Sequence, residues 1–241
     1  NKAKLTITGE DKEATYGDVE PTYTVSYNGF VNNETKDVLG GTLSFDCSYA
    51  QYSDVGEYVI SASGYTSNNY EISYVDGSLK VNQKEVGLTW GEVEFTYDGQ
   101  VKLPTVEATG LVNNDVCVVT VTGEQTKAGT YEATATNLSN GNYKLPANVV
   151  TSFVINKATY DMSGILFEDI TVTYDGKEHV LEIKGTLPDG VTVRYENNKG
   201  TNADTYNAVA IFEYDTENYN PIANKEATLK INKAQLTITA E

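Results

Sequence analysis

The chain is poor in the residues that carry most protein chemistry. Its 241 residues include one histidine, His179, one arginine, Arg194, one tryptophan, one methionine and two cysteines. Phosphate backbones are held by clusters of Lys and Arg that release counterions. Here 17 basic residues face 34 acidic ones, for a net charge of −17, and no basic run exists. That balance excludes nucleic acid as a partner and disfavours anionic membranes. No stretch approaches the ~18–20 apolar residues of a membrane helix, so no membrane insertion is expected. The chain also opens without Met or a basic-then-apolar leader, which reads as an internal segment whose signal and anchor lie elsewhere. Signatures of nucleophile, phosphate and metal chemistry (GxSxG, the P-loop, HExxH, CxxC) are missing. No enzyme, cofactor or bound metal is expected.

The two cysteines alternate with apolar neighbours, Cys47 with Leu43 and Phe45, Cys117 with Val119 and Val121. Each reads as a small buried hydrophobe rather than half of a disulfide. His179, in GKEHVLE after an Asp-Gly turn, reads as an exposed hairpin residue, because strand alternation sends Glu178 to the opposite face. The acidic run holding Asp215, Glu217 and Asn218 is the densest oxygen cluster, yet it lacks the spaced ligands of a calcium loop. Lys157 beside Asn156, and Lys233 beside Asn232, are sequence neighbours and poor candidates for an isopeptide bond.

What is abundant is repetition. The chain begins NKAKLTITGE and ends NKAQLTITAE. The Asn that opens this signature recurs at Asn1, Asn82, Asn156 and Asn232, at intervals of 81, 74 and 76 residues. TYGD at Thr15–Asp18 is echoed by TYDG at Thr96–Gly99 and Thr173–Gly176. DVGEY returns as KAGTY and NADTY, ending at Tyr58, Tyr131 and Tyr206. SNNY returns as NGNY and TENY, ending at Tyr70, Tyr143 and Tyr219. With Tyr16, Tyr97 and Tyr174, these account for nine of the 18 tyrosines. Three modules are therefore expected, residues 1–82, 83–156 and 157–232, with 233–241 as the first strand of another. No Gly, Pro or Ser run separates them, so a stiff array of neighbouring repeats follows, and a monomer.

Period-two alternation dominates, as in KLTIT, PTYTVSY, ITVTYDG and ATLKIN, with Asp-Gly turns between runs. The fold class is all-β, three small antiparallel modules. The AGTYEA pattern at 128–133 favours an immunoglobulin-like sandwich, whose corner tyrosine bonds back to nearby backbone. A β-grasp arrangement is the alternative, because residues 32–39 of the first module allow a short helix.

Fold-determining residues recur in every module, whereas a ligand site need not. The nine recurring tyrosines are read as structural, Tyr58, Tyr131 and Tyr206 as corner residues with Asp204 standing where the other corners have Gly56 and Gly129. The non-recurring aromatics Tyr49, Tyr52, Tyr65 and Trp90 are the candidates for stacking on a glycan.

The first repeat, with LTIT, TYGD, GFVNNE and GGTL, resembles the MBG-type repeat of bacterial surface proteins. The second and third, with TYDG, AGTY or ADTY, NxNY or ENY and a closing strand plus INKA, resemble the related YDG/MBG repeats. The resemblance implies a large secreted, cell-wall-associated, adhesin-like protein with no catalytic residues to carry over. Two roles are consistent with it: a stalk that projects a distal domain, or an adhesive module for host or dietary glycan, mucin or matrix protein.

Overall fold

The computed structural model describes residues 1–239, and these are all-β apart from one 3-10 turn, Lys36–Val38. Thr35 caps that turn by accepting from the Asp37 N–H, and none of its residues is buried. Among the described residues, which include the whole of the first repeat, no helix packs on a sheet, so the β-grasp alternative for that repeat is set aside. Among the described residues no helix is long and apolar enough to cross a membrane.

Two compact units are present. One comprises Asn1–Gly91, Pro104–Gly123 and Ala133–Thr151; the other Glu92–Leu103, Glu124–Glu132 and Ser152 onward. The residues of the second repeat are thus shared between them.

In the first unit, one sheet has the order Val25–Asn28, Ala3–Gly9, Tyr70–Val75. A second has the order Lys12–Thr15, Gly77–Asn82, Gly56–Thr66, Gly40–Asp46. Alternation places Leu5 and Ile7 on one inner face and Leu79 and Val81 on another. They bury with Tyr70 in one cluster and with Ala14, Tyr49 and Ile60 in the other. Each such side chain contributes about 1.5–3 kcal/mol of burial.

The pairing is mixed rather than purely antiparallel. Ala3–Gly9 runs parallel to Tyr70–Val75, and Lys12–Thr15 parallel to Gly77–Asn82. The reason is a shared crossing: both chains leave one sheet for the other at Gly9 and Gly77. A Cβ on Gly9 would lie 2.7 Å from the Gly77 nitrogen, and one on Gly77 would lie 2.6 Å from the Gly9 oxygen. Only two glycines let the backbones cross that closely. Simple alternation shows the strands but not this coupled switch.

The remainder of the first unit pairs Gly87–Trp90 with Val106–Thr109 antiparallel, and Lys84–Glu85 with Tyr143–Lys144 parallel. Val119–Thr122 pairs with the end of Gly129–Leu138. Cys117 is buried there and Cys47 is half-buried beside the first core; both are free thiols.

The second unit holds a four-stranded sheet in the order Ile170–Thr173, Lys225–Asn232, Thr205–Glu213, Thr192–Glu196. Its edge pairing is again parallel, Ile170 opposite Leu229 through Thr173 opposite Asn232. Glu94–Thr96 runs parallel to Val154–Asn156 in the same unit. Leu181, Ala208, Ala227, Leu229 and Ile231 form one core cluster, and Ile165, Val191, Ala210 and Phe212 another.

Residues 233–239, expected to begin a further strand, lie outside any strand, and the last two residues of that expectation fall outside the described ones. Leu236 and Ile238 are 85% and 86% exposed, while the corresponding Leu5 and Ile7 are fully buried between flanking strands.

Candidate functional site

The recurring tyrosines resolve into two structural devices. The first is a corner. Tyr58 donates to the Asp54 carbonyl at 2.7 Å, Tyr131 to Lys127 at 3.1 Å and Tyr206 to Asn202 at 3.1 Å, in each case four residues upstream. The bond ties the start of a long strand to the loop before it. At Gly129 a Cβ would stand 2.7 Å from the Tyr131 hydroxyl, which is why glycine suits that corner. Asp204 replaces glycine at the third corner without loss of the bond.

The second device joins the other two tyrosine sets. Tyr16 is 3% exposed and meets Tyr143 edge-on, with centroids 5.4 Å apart and planes at 77°. Tyr97 meets Tyr219 in the same way, at 5.5 Å and 78°. The Asn before each second tyrosine completes the contact. Asn142 Oδ1 accepts from the Val55 N–H at 2.9 Å, and Asn218 Oδ1 accepts from the Ala128 N–H at 2.8 Å. Val55 and Ala128 hold the same place, three residues before a corner tyrosine. Edge-to-face rings of this kind are worth about 0.5–1.5 kcal/mol beyond their buried area.

Around Tyr16 the contact is reinforced by one carboxylate. Tyr16 and Tyr143 both donate to Asp115 Oδ2 at 2.8 Å, and the Val112 N–H donates to the Tyr143 hydroxyl at 2.9 Å. Asn142 Nδ2 donates to Asp54 Oδ1 at 2.8 Å. Gly17 presses so closely on Val112 that a Cβ would lie 2.9 Å from its Cγ2. Around Tyr97 the support is aromatic instead. Tyr219 stacks on Tyr160 at 3.9 Å and 11°, and Tyr160 meets Tyr214 edge-on.

Asp115 is a residue that sequence reading passed over. GLVNND at 110–115 repeats GFVNNE at 29–34 with the same 81-residue offset that separates Asn1 from Asn82. Asn32, Asn33, Asn113 and Asn114 all take φ of 55–57°, a region Asn tolerates better than most residues. The hairpin-like loop thus turns Glu34 onto Tyr70 as it turns Asp115 onto Tyr143. Tyr70 donates to Glu34 Oε2 at 2.5 Å and accepts from the Val31 N–H at 3.1 Å. The offset marks the position of Asp115, though not its partner.

Burial, and then the hydrogen bond and charge of Asp115, push the Tyr16 phenol up to about 12. Burial also raises Tyr143. A phenol is neutral when protonated, so a raised folded value favours the native state below the ordinary value of 10.0. That contribution is lost as the pH climbs from about 10 to about 12. Stability measured across that range should fall, and the fall should be shallower in Tyr16→Phe.

The four glycan candidates do not assemble. Tyr49 is buried, donates to the Asp18 carbonyl at 2.6 Å and packs edge-on against Tyr58, so its ring face is unavailable. Tyr65 is half-buried beside Tyr27, and Trp90 is half-buried at a strand end. Tyr52 alone is exposed, in a turn with φ of 71°. Tyr65 lines an open groove of 770 Å³ with Asn1, Lys2, Ser67 and Glu71.

His179 is half-buried rather than exposed, because its Nε2 lies 3.0 Å from Asp175 Oδ1 on the turn before it. Asp215 is occupied by its own loop. Oδ1 accepts from the Glu217 and Asn218 N–H groups, and Oδ2 from Asn218 Nδ2 at 2.7 Å. Glu217 pairs with Lys127 at 2.8 Å, and Lys157 Nζ donates to the Thr216 carbonyl. Among the described residues no three His, Cys, Asp or Glu side chains are grouped to hold a metal.

Residues 5–80 match the family model of the MBG domain (YGX type). No curated protein matches the chain. Among solved structures it is similar to Sidekick-1 immunoglobulin domains 1–5, at 12% identity and a TM-score of 0.35. That match covers 94% of this chain but 58% of the other, so this chain spans little over half of that structure's length. Drosophila N-cadherin EC1–3 is similar at 10% identity and a TM-score of 0.25, covering 93% of this chain and 98% of that one. The N-terminal eight Ig domains of Down Syndrome Cell Adhesion Molecule match at 13% identity and a TM-score of 0.21, covering 96% and 35%.

Proposed function

We propose that the chain is a run of spacer modules from a secreted bacterial surface protein, projecting a distal domain from the cell wall. The modules are residues 1–82, 83–156 and 157–232, with 233–241 opening a further one. The observation that carries this reading is the twice-made contact in which a tyrosine and a loop N–H of one repeat receive the Asn-Tyr pair of the next. A linker two or three residues long leaves each junction little freedom, and a contact repeated at each junction restricts it further. Repeats that touch only their neighbours add length without needing any chemistry. The match of residues 5–80 to the MBG domain supports an extracellular setting. A net charge of −17 keeps such a surface-borne array self-repelling and soluble.

Small-angle scattering tests the spacer role. A single compact body of 241 residues would have a radius of gyration of about 18 Å. The expected value is well above that figure, and a value at it would contradict the role.

Adhesion to glycan, mucin or matrix protein is the second reading, favoured by the exposed Tyr52 ring and the open groove beside Tyr65. A glycan array silent for the chain, with the whole protein still adhering, would remove it.

A further inference from the structure

Two asparagines precede glycine, in Asn28-Gly29 and Asn140-Gly141. In such a pair the glycine nitrogen can close on the asparagine side-chain carbon, since no Cβ crowds its approach. The fold treats the two pairs differently. Asn28 ends the strand Val25–Asn28 and lies opposite Thr6 in the ladder. Gly29 follows with φ of 116°, so close to Lys4 that a Cβ on it would run into the Lys4 carbonyl oxygen. Ring closure there must first open the ladder.

Asn140 begins the turn that presents Asn142 and Tyr143. Gly141 is exposed, its N–H has no acceptor among the described residues, and a Cβ on it would meet nothing within 4 Å. Asn140 Oδ1 accepts from the Asn142 N–H at 3.0 Å, which places a donor where negative charge gathers as the nitrogen attacks. The same bond recurs at other turns without the same chemistry. Asn148 Oδ1 accepts from the Val150 N–H, but the intervening Val149 is β-branched and crowds its own nitrogen. Asp98 and Asp175 precede glycine and accept from the Gln100 and Lys177 N–H groups at 2.9 Å. Lys102 holds the Asp98 carboxyl below its ordinary value, and the Lys177 N–H does so for Asp175. An ionised carboxylate resists attack where a neutral amide does not.

We propose that Asn140 is a site of spontaneous modification by water, converting to aspartate and isoaspartate in the folded chain while Asn28 is spared. The Gly141 nitrogen bonds to Asn140 Cγ as its proton passes to solvent, and the Cγ–Nδ2 bond breaks to release ammonia. Water then opens the resulting cyclic imide at either carbonyl, giving aspartate or isoaspartate. In the isoaspartate form the main chain runs through Cγ and is longer by a methylene. The carbonyl that accepts from the Tyr143 N–H at 3.2 Å becomes a free carboxylate. The turn no longer fits the place it now holds, and the bond from the Val55 N–H to Asn142 Oδ1 weakens. This chemistry is the same whether the chain serves as a spacer or as an adhesive module.

The test is peptide mass spectrometry of the chain aged at mildly alkaline pH, both folded and in concentrated urea, reading the amide-to-acid mass gain at each asparagine. In urea the two should convert at comparable rates. In the folded chain Asn140 should convert at least about tenfold faster than Asn28, because only Asn28 waits on the opening of a strand. Gly141 is not left-handed and has open space around it, so Gly141→Ala keeps the fold and the protection of the Val55 amide. That variant should slow conversion at Asn140 by about tenfold or more, since ring closure depends on close approach. In aged unmodified chain, the isoaspartate fraction should exchange its Val55 amide faster than fresh chain does. Comparable rates at the two asparagines in the folded chain, or an Asn140 rate unchanged by Gly141→Ala, overturn the proposal. Equal Val55 exchange in the isoaspartate fraction and fresh chain overturns the loosening.

Discussion

Replacing Tyr143 with alanine should destabilise the first unit by about 4 kcal/mol, in the range for emptying a buried aromatic site. Tyr143 is 2% exposed and does three things at once. Its ring meets Tyr16 edge-on, its hydroxyl donates to Asp115, and the same oxygen accepts from the Val112 N–H. Truncation leaves a cavity among Val86, Cys117 and Leu138, and strands a backbone N–H. Phenylalanine at the same position keeps the ring and loses only the polar bonds, a cost of about 1–3 kcal/mol. The measurement is urea unfolding of both variants. The expected result is a lower midpoint with unchanged slope, larger for alanine. Equal effects would mean that packing contributes little there.

Asp115→Ala is expected to cost about 3 kcal/mol, because two tyrosine hydroxyls lose the same charged acceptor. Hydrogen bonds to a charged group are worth about 1.5–3 kcal/mol each, and a shared acceptor makes the pair less than additive. The distinguishing experiment is a double-mutant cycle. With Asp115 already alanine, Tyr16→Phe should add almost nothing, whereas in the unmodified chain it should cost about 1–2 kcal/mol. Independent, fully additive costs would show that Asp115 does not join the two rings.

Much of this architecture was written in local patterns. Strand alternation carries the all-β class, because a half-buried strand must repeat with period two. The tyrosine spacing likewise marks positions that recur in space as well as in sequence. What alternation cannot carry is pairing. Nothing in KLTIT tells whether its neighbour runs parallel, and the Gly9–Gly77 crossing depends on two glycines 68 residues apart. Asp115 was hidden for a different reason. It is one of 34 acidic residues, and its role follows only from two asparagines in left-handed conformation that swing it onto Tyr143. Tyr49 misled for the converse reason: a tyrosine without a counterpart in other repeats need not be exposed, and this one fills the core beneath Tyr58. The glycan candidates rested on aromatic type and on not recurring between repeats, and neither distinguishes a core ring from a presented one.

The recurring Asn-Tyr contact is tested most directly by amide hydrogen exchange at three equivalent positions, Val55, Ala128 and Ala203, in dilute solution. The first two N–H groups are held by Asn142 and Asn218 and should exchange slowly, while Ala203 exchanges fast. Asn142→Ala should release Val55 alone, and Asn218→Ala should release Ala128 alone. If all three amides exchange at the same rate in the unmodified chain, the contact is not the joint described here.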